Sequence, residues 1–181
     1  MTDGEFTEED ALRILRGPQR KRKAGKPQPV SFILRYGDSL FGVDTMAEHI
    51  AIEKKHGYVW LGKFGVGASK ERIDRVKAQI KGGTPTSLYL SSRMQITHEA
   101  RVLDIVGGGR ANLRVAPEPS RVPKYYRNVG CAIWFKVSGI RKARPEVLRT
   151  LRLANDTTSI PRLRTAQSLI MVVRPRKRDR L

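Results

Sequence analysis

The chain has 181 residues and one cysteine, with 36 Lys and Arg against 17 Asp and Glu, a formal net charge of +19. That length supports one substantial core with appended tails, and the lone Cys131 excludes an intrachain disulfide and a cysteine-rich zinc site. A cationic surplus this large attracts polyanions through several ångströms of water, most strongly at low salt, so the expected partner is nucleic acid, DNA or RNA.

The chain is expected to divide into an N-terminal helix and basic linker over 1–29, an α+β domain over 30–173 and a basic tail over 174–181. Residues 5–16 read as a short helix. Thr7 can cap it, Glu8, Glu9 and Asp10 sit where the amide dipole is positive, and Gly17-Pro18 ends it. A helix this short is marginal alone, so Ala11, Leu12 and Leu15 are expected to dock on the domain or on a protein partner. The linker that follows carries Arg20, Lys21, Arg22 and Lys23 and is expected to order only on a polyanion. Arg174, Arg176, Lys177, Arg178 and Arg180 form a second run. Between the runs, residues 27–173 keep 24 basic against 11 acidic side chains, so the domain itself is cationic. No apolar run approaches a membrane span, and the polar, acidic start does not read as a signal peptide. The expected location is the cytoplasm, without membrane contact.

The domain opens with a strand, 30–36. Asp44 caps a helix running through Lys55, with Met46, Ala47, Ile50 and Ala51 at core spacing, and Gly57 supplies its stop. A strand over 58–64 alternates so as to present Tyr58, Trp60 and the stem of Lys63. It then breaks into the turn Gly62-Lys-Phe-Gly-Val-Gly-Ala-Ser69. Ser69 caps a second helix, 70–81, with Ile73, Val76 and Ile80 inward and Lys70, Arg72, Arg75, Lys77 and Lys81 outward. Strands are expected over 86–93, 98–106, 131–137 and 168–173, a long loop over 107–124, a short helix from Pro145 to Leu153, and a helical turn over 161–166. Strands in this number, interrupted by short helices, predict an α+β fold with a small, strongly curved β-sheet or barrel.

The glycine-rich turn lacks the phosphate-loop pattern and the dinucleotide glycine spacing, so no nucleotide cofactor is expected. Backbone amides before a capped helix still make a phosphate cradle, with Lys63 and Lys70 beside it. His49, His56 and His98 have no metal-ligand spacing, and no metal or catalytic set is expected. Glu53-Lys54-Lys55 matches the Glu-x-Lys end of metal-dependent nucleases but falls on a helix end, where that chemistry takes a strand. Glu99 and Asp104 fall on opposite faces of one strand. The aromatics carry more information. Tyr58, Trp60, Tyr89, Tyr125, Tyr126, Trp134 and Phe135 lie in or near the strands, either as core or as the lining of a pocket in which a base stacks. In the pocket reading, Ser91, Ser92 and Arg93 supply hydrogen bonds to a base edge.

The order Gly-Tyr-Val-Trp-Leu-Gly-Lys-Phe, basic helix, Thr-Ser-Leu-Tyr-Leu-Ser-Ser-Arg, then Ala-Arg-Val-Leu-Asp-Ile resembles a PUA-like domain of the EVE/YTH kind. Val-Pro-Lys-Tyr-Tyr, Ala-Ile-Trp-Phe-Lys-Val-Ser-Gly-Ile and Ser-Ile-Pro-Arg-Leu-Arg-Thr-Ala-Gln-Ser continue the resemblance, which covers about 57–173. The chain is also similar to DNA-reading domains fused to modification-dependent restriction systems. The resemblance implies a curved β-barrel with flanking helices that holds a modified or flipped base in an aromatic cage beside a basic surface. By that resemblance Trp60 and Trp134 are the cage walls and Ser91 or Arg93 the polar contact. The expected function is non-enzymatic nucleic-acid binding, with phosphates held by the basic tails and helix. The alternatives are a nuclease or other processing enzyme, and a structural subunit of a ribonucleoprotein.

Overall fold

A computed structural model describes residues 28–40, 42–107, 113–155, 158–160, 163 and 168–174. The helix expected over 5–16, the run Arg20, Lys21, Arg22 and Lys23, the tail beyond Arg174, and most of the turn expected over 161–166 lie outside the described residues.

Short alternating apolar runs form the strands β1 (Val30–Arg35), β4 (Val59–Lys63), β5 (Ser87–Ser92), β6 (Gln95–Gly107), β7 (Ile133–Lys142) and β9 (Leu169–Val173). Two-residue pieces add β2 (Ser39–Leu40), β3 (Val43–Asp44) and β8 (Arg152–Leu153). Seven of them make one curved sheet in the order β4-β7-β6-β5-β1-β9-β8, with β2 and β3 paired separately. β1 and β5 run parallel and the remaining neighbours antiparallel. Register shifts interrupt the β5–β6 and β6–β7 pairings, and such bulges bend and twist the strands that carry them.

Alternation sends side chains to two faces. One face gathers Phe32, Leu34, Leu61, Leu88, Leu90, Val102, Ile105, Phe135 and Val137 into the main core. Two helices cover it: α1 (Thr45–His56) lies against β4 and β7, and α2 (Lys70–Lys81) against β6. Asp44 caps α1 by accepting from the Met46 and Ala47 amides at 2.9 Å each. Gly57 ends it at φ +80, a left-handed conformation that costs glycine nothing. Ser69 caps α2, and Ile73 and Val76 are its buried residues. The other face has two apolar patches: Ile33, Tyr89 and Val172 packed with Val147, Leu151 and Ile160, and Trp60 and Trp134 packed with Ala116, Val122 and Tyr126.

Three expectations need correcting. In α1, Ala47 and Ala51 are exposed, and the face turned to the sheet is Thr45, Met46 and the fully buried His49. The helix expected from Pro145 to Leu153 shrinks to a 3-10 turn, Val147–Thr150. Burial of Leu151 and pairing of Arg152 and Leu153 with β9 win over local helix propensity there. β6 starts earlier than its apolar pattern, because Arg93 and Met94, at φ 46 and 64, close a two-residue hairpin without the Asn or Gly that usually signals one. Among the described residues no helix is long and apolar enough to cross a membrane.

Candidate nucleic-acid interface

Tyr58 and Trp60 lie on the outer face at the β4 edge of the sheet, and their polar atoms converge on one carboxylate. The Tyr58 hydroxyl donates to Glu118 Oε2 at 2.5 Å, and Trp60 Nε1 donates to Glu118 Oε1 at 3.0 Å. Lys136, the cross-strand partner of Trp60, brings its Nζ within 3.6 Å of the same Oε1 and within 3.8 Å of the Tyr58 ring centroid. The Arg121 guanidinium lies 5.2 Å from that ring. The hydrogen bonds from Tyr58 and Trp60, helped by Lys136, hold the Glu118 carboxyl below its ordinary range. Glu118 therefore fastens the 113–131 segment over Trp60.

Trp60 is only 3% exposed and Trp134 is 0% exposed, so both tryptophans sit in the core and neither offers a ring face to a base. Trp134 donates from Nε1 to the Arg114 carbonyl at 2.7 Å, and its indole packs against β4 at Gly62. A Cβ at Gly62 would fall 2.9 Å from that ring and 2.5 Å from Cys131 Sγ, so only glycine admits the packing. Burial pushes the Cys131 thiol up to about 12, which leaves it an inert packing group.

Lys63 points to the opposite side of β4 from Tyr58 and Trp60 and is 4% exposed. Its ammonium donates to the Phe64 carbonyl at 2.7 Å and to the Val66 carbonyl, and burial pushes its pKa down. It ties the glycine-rich turn together from inside, and the phosphate contact expected of it gives way to that role. The turn in consequence holds Phe64 outward. The Phe64 ring, 45% exposed, stacks on Tyr126 with centroids 5.4 Å apart and an interplanar angle of 22°. Tyr126 in turn meets Tyr125, the edge of Trp134, and the ring of His49. Burial takes His49 down to about 4, opposed by the Thr45 carbonyl, so the imidazole is neutral in the cell's pH range.

Downstream of the turn, Val66, Gly67, Ala68 and Ser69 form one wall of an open concavity of about 830 Å³, and Glu71, Arg72 and Arg75 of α2 form the other. Both arginines are exposed, as are Lys70 and Lys77. Lys70 is held by Asp74 at 2.7 Å. Among the described residues Arg72, Arg75 and Lys77 have no carboxylate partner.

Ser91 and Arg93 belong elsewhere. Ser91 is buried, with its hydroxyl 3.5 Å from the Leu34 carbonyl, and Arg93 sits in the β5–β6 hairpin paired to Asp38 at 2.8 Å. Ser91 is level with Ile96 of β6, whereas Trp60 is level with Asp104, through Lys136. At ~3.3 Å per residue that separation is roughly 25 Å along the strand. The two groups cannot contact the same base. The residues that sequence reasoning passed over are Glu118, Lys136 and Phe64. Only Phe64 left a signal, an aromatic next to a glycine-rich turn.

The carboxylates that could suggest catalysis have structural partners. Glu53 Oε1 accepts from the Gly139 amide, Asp104 from the Ile105 amide, and Glu99 binds Arg141.

A seven-stranded curved sheet with two helices over its main core makes this a small α+β domain. A family model for Pua-like domains matches residues 32–175, and the chain belongs to that family. Among solved structures it is similar to the Pho92 YTH domain in complex with m6A, at 13% sequence identity and a TM-score of 0.32, covering 76% of this chain and 77% of that one. No curated protein matches the sequence.

Proposed function

We propose that this chain is a non-enzymatic nucleic-acid-binding protein that docks phosphates on the outer face of α2 and the 66–69 turn. In this reading the Phe64 ring stacks on a base of the same strand. The observation that carries it is one open concavity in which two exposed guanidinium groups, Arg72 and Arg75, neither in an ion pair among the described residues, face the 66–69 turn across a lining with a single carboxylate, Glu71. Guanidinium forks are donor sets suited to phosphate oxygens. Phe64, two residues before the concavity begins, supplies what a phosphate site alone lacks, an exposed π-face backed by a second ring. The net charge of +19 supplies long-range attraction for the same partner. The basic run Arg20 to Lys23 and the C-terminal tail add counterion release without base contacts.

The test is the double variant Arg72→Glu/Arg75→Glu, titrated with single-stranded DNA and RNA of one sequence, unmodified and base-methylated. Affinity is expected to fall at least about tenfold with an unchanged melting temperature, because both side chains are solvent-facing. Wild-type affinity in the variant would move the docking face away from α2. The four probes also rank DNA against RNA and modified against plain base, which fixes the finer specificity.

A further inference from the structure

On the outer face of the sheet, away from α2, a cleft of about 710 Å³ opens between β5, β6, β7 and the 144–150 segment. Its position follows from strand alternation. Ala100 and Val102 point into the main core, so Arg101 between them points out, level with Ser87 of β5 and Ser138 of β7. Arg141, Arg144 and Arg174 complete a four-arginine lining. Two carboxylates also border the cleft, and each is already engaged: Glu99 holds Arg141 at 2.8 Å, and Glu146 lies 3.5 Å from Arg149. That leaves Arg101, Arg144 and Arg174 without a carboxylate among the described residues. Arg174 is held in place over the Tyr89 ring, 5.6 Å from its centroid.

We propose that this cleft is a second nucleic-acid site, in which Arg101, Arg144 and Arg174 grip the phosphodiester backbone of a single strand. The charge balance calls for an anion, and the volume is that of a nucleotide-sized ligand rather than a lone ion. The lining points to backbone rather than base. It offers guanidinium groups and the hydroxyls of Ser87, Ser138 and Thr150, but no exposed ring on which a base could stack, since Tyr89 beneath it is fully buried. The site contacts phosphate without reading sequence. It shares a partner with the α2 face but lies across the sheet from it, and neither site depends on the other.

The experiment uses the full chain and the variant Arg101→Ala/Arg144→Ala, with oligothymidylate, oligouridylate and uridine 5′-monophosphate as probes over a series of salt concentrations. Both arginines are exposed, so the fold is expected to persist, and Arg101→Lys/Arg144→Lys keeps the charge as a control. Oligonucleotide affinity should fall about tenfold, and the slope of log affinity against log salt should flatten by about 0.7 for each lost contact. The lysine variant should recover most of both, and the monophosphate should bind far more weakly than either oligonucleotide. An alanine variant with unchanged affinity and slope overturns the proposal. So does a monophosphate that binds as tightly as the oligonucleotides and is lost with the arginines, which would make the cleft a free-nucleotide pocket. If the Arg72→Glu/Arg75→Glu variant binds normally while this one does not, the α2 reading falls and the cleft stands. The reverse pattern removes the cleft alone.

Discussion

Beneath the 113–131 segment, Tyr58, Trp60 and Lys136 surround a carboxylate that takes up the donors they offer. Along the 64–75 surface, Phe64 projects with nearly half its ring in solvent, and Arg72 and Arg75, beside Glu71, are in no ion pair among the described residues. The two regions use the same residue types, rings beside cations, at the two ends of one strand and turn. What separates them is a partner already present in the fold. Glu118 makes the first region a closed structural clasp, and the second has no such buried junction, which leaves its guanidinium groups in solvent and open to an external anion. Residue type alone does not distinguish a binding surface from a packed one; the accounting of partners does.

The sharpest way to break that comparison is Trp134→Ala. Trp134 is fully buried, hydrogen-bonded to Arg114 and packed on Gly62. Removing the indole should cost about 3–5 kcal/mol of stability, read by urea unfolding. Affinity per folded molecule should be unchanged. A variant that keeps its stability and loses affinity would make Trp134 a pocket wall and reverse the assignment of the two regions.

How far the sequence anticipated this arrangement depends on which forces shaped each part. The helix over 70–81 was legible in full, because a serine cap, an apolar stripe and a basic outer face all act locally. So were the α+β class and the main strands, whose alternation reports burial directly. The tryptophans were not. A Trp in a strand reads the same whether its outer face is open or covered, and the cover here comes from residues 113–131, far along the chain. The clasp was equally hidden, since Glu118 is about 60 residues from the two rings it joins. Lys63 was misplaced for a simpler reason: alternation already put it on the opposite face from Trp60, and its long stem suggested an exposure that the turn carbonyls prevent.

Phe64→Ala tests the open region with a smaller effect. If the ring stacks on a base, its loss should weaken binding by about 1–3 kcal/mol, measured by anisotropy with a labelled single strand. Stability should change by no more than about 1–2 kcal/mol, because a ring 45% exposed buries only about half of what a core phenylalanine does. Intact affinity with a clear loss of stability would reassign Phe64 as a prop for Tyr126 and leave the 66–75 concavity as a phosphate site without a base platform.

The smallest effect belongs to the clasp. Glu118 is exposed enough that its hydrogen bonds are shared with water, so Glu118→Gln should cost no more than about 1 kcal/mol near neutral pH. The pH dependence is more diagnostic. The folded protein holds this carboxyl below its ordinary range, chiefly through Tyr58 and then Trp60, so ionisation favours the folded state. That contribution is complete above the ordinary carboxylate range and disappears as pH falls through the depressed folded value. Wild type and variant should therefore differ most at neutral pH and converge in acid. Parallel curves from pH 7 down to about 3 would mean that the carboxylate fastens nothing. A large gain in nucleic-acid affinity in the variant would be the more consequential result. It would show that Glu118 occupies an anion site among Tyr58, Trp60, Arg121 and Lys136, and that the region closed by its own carboxylate is open to a phosphate once that carboxylate is neutral.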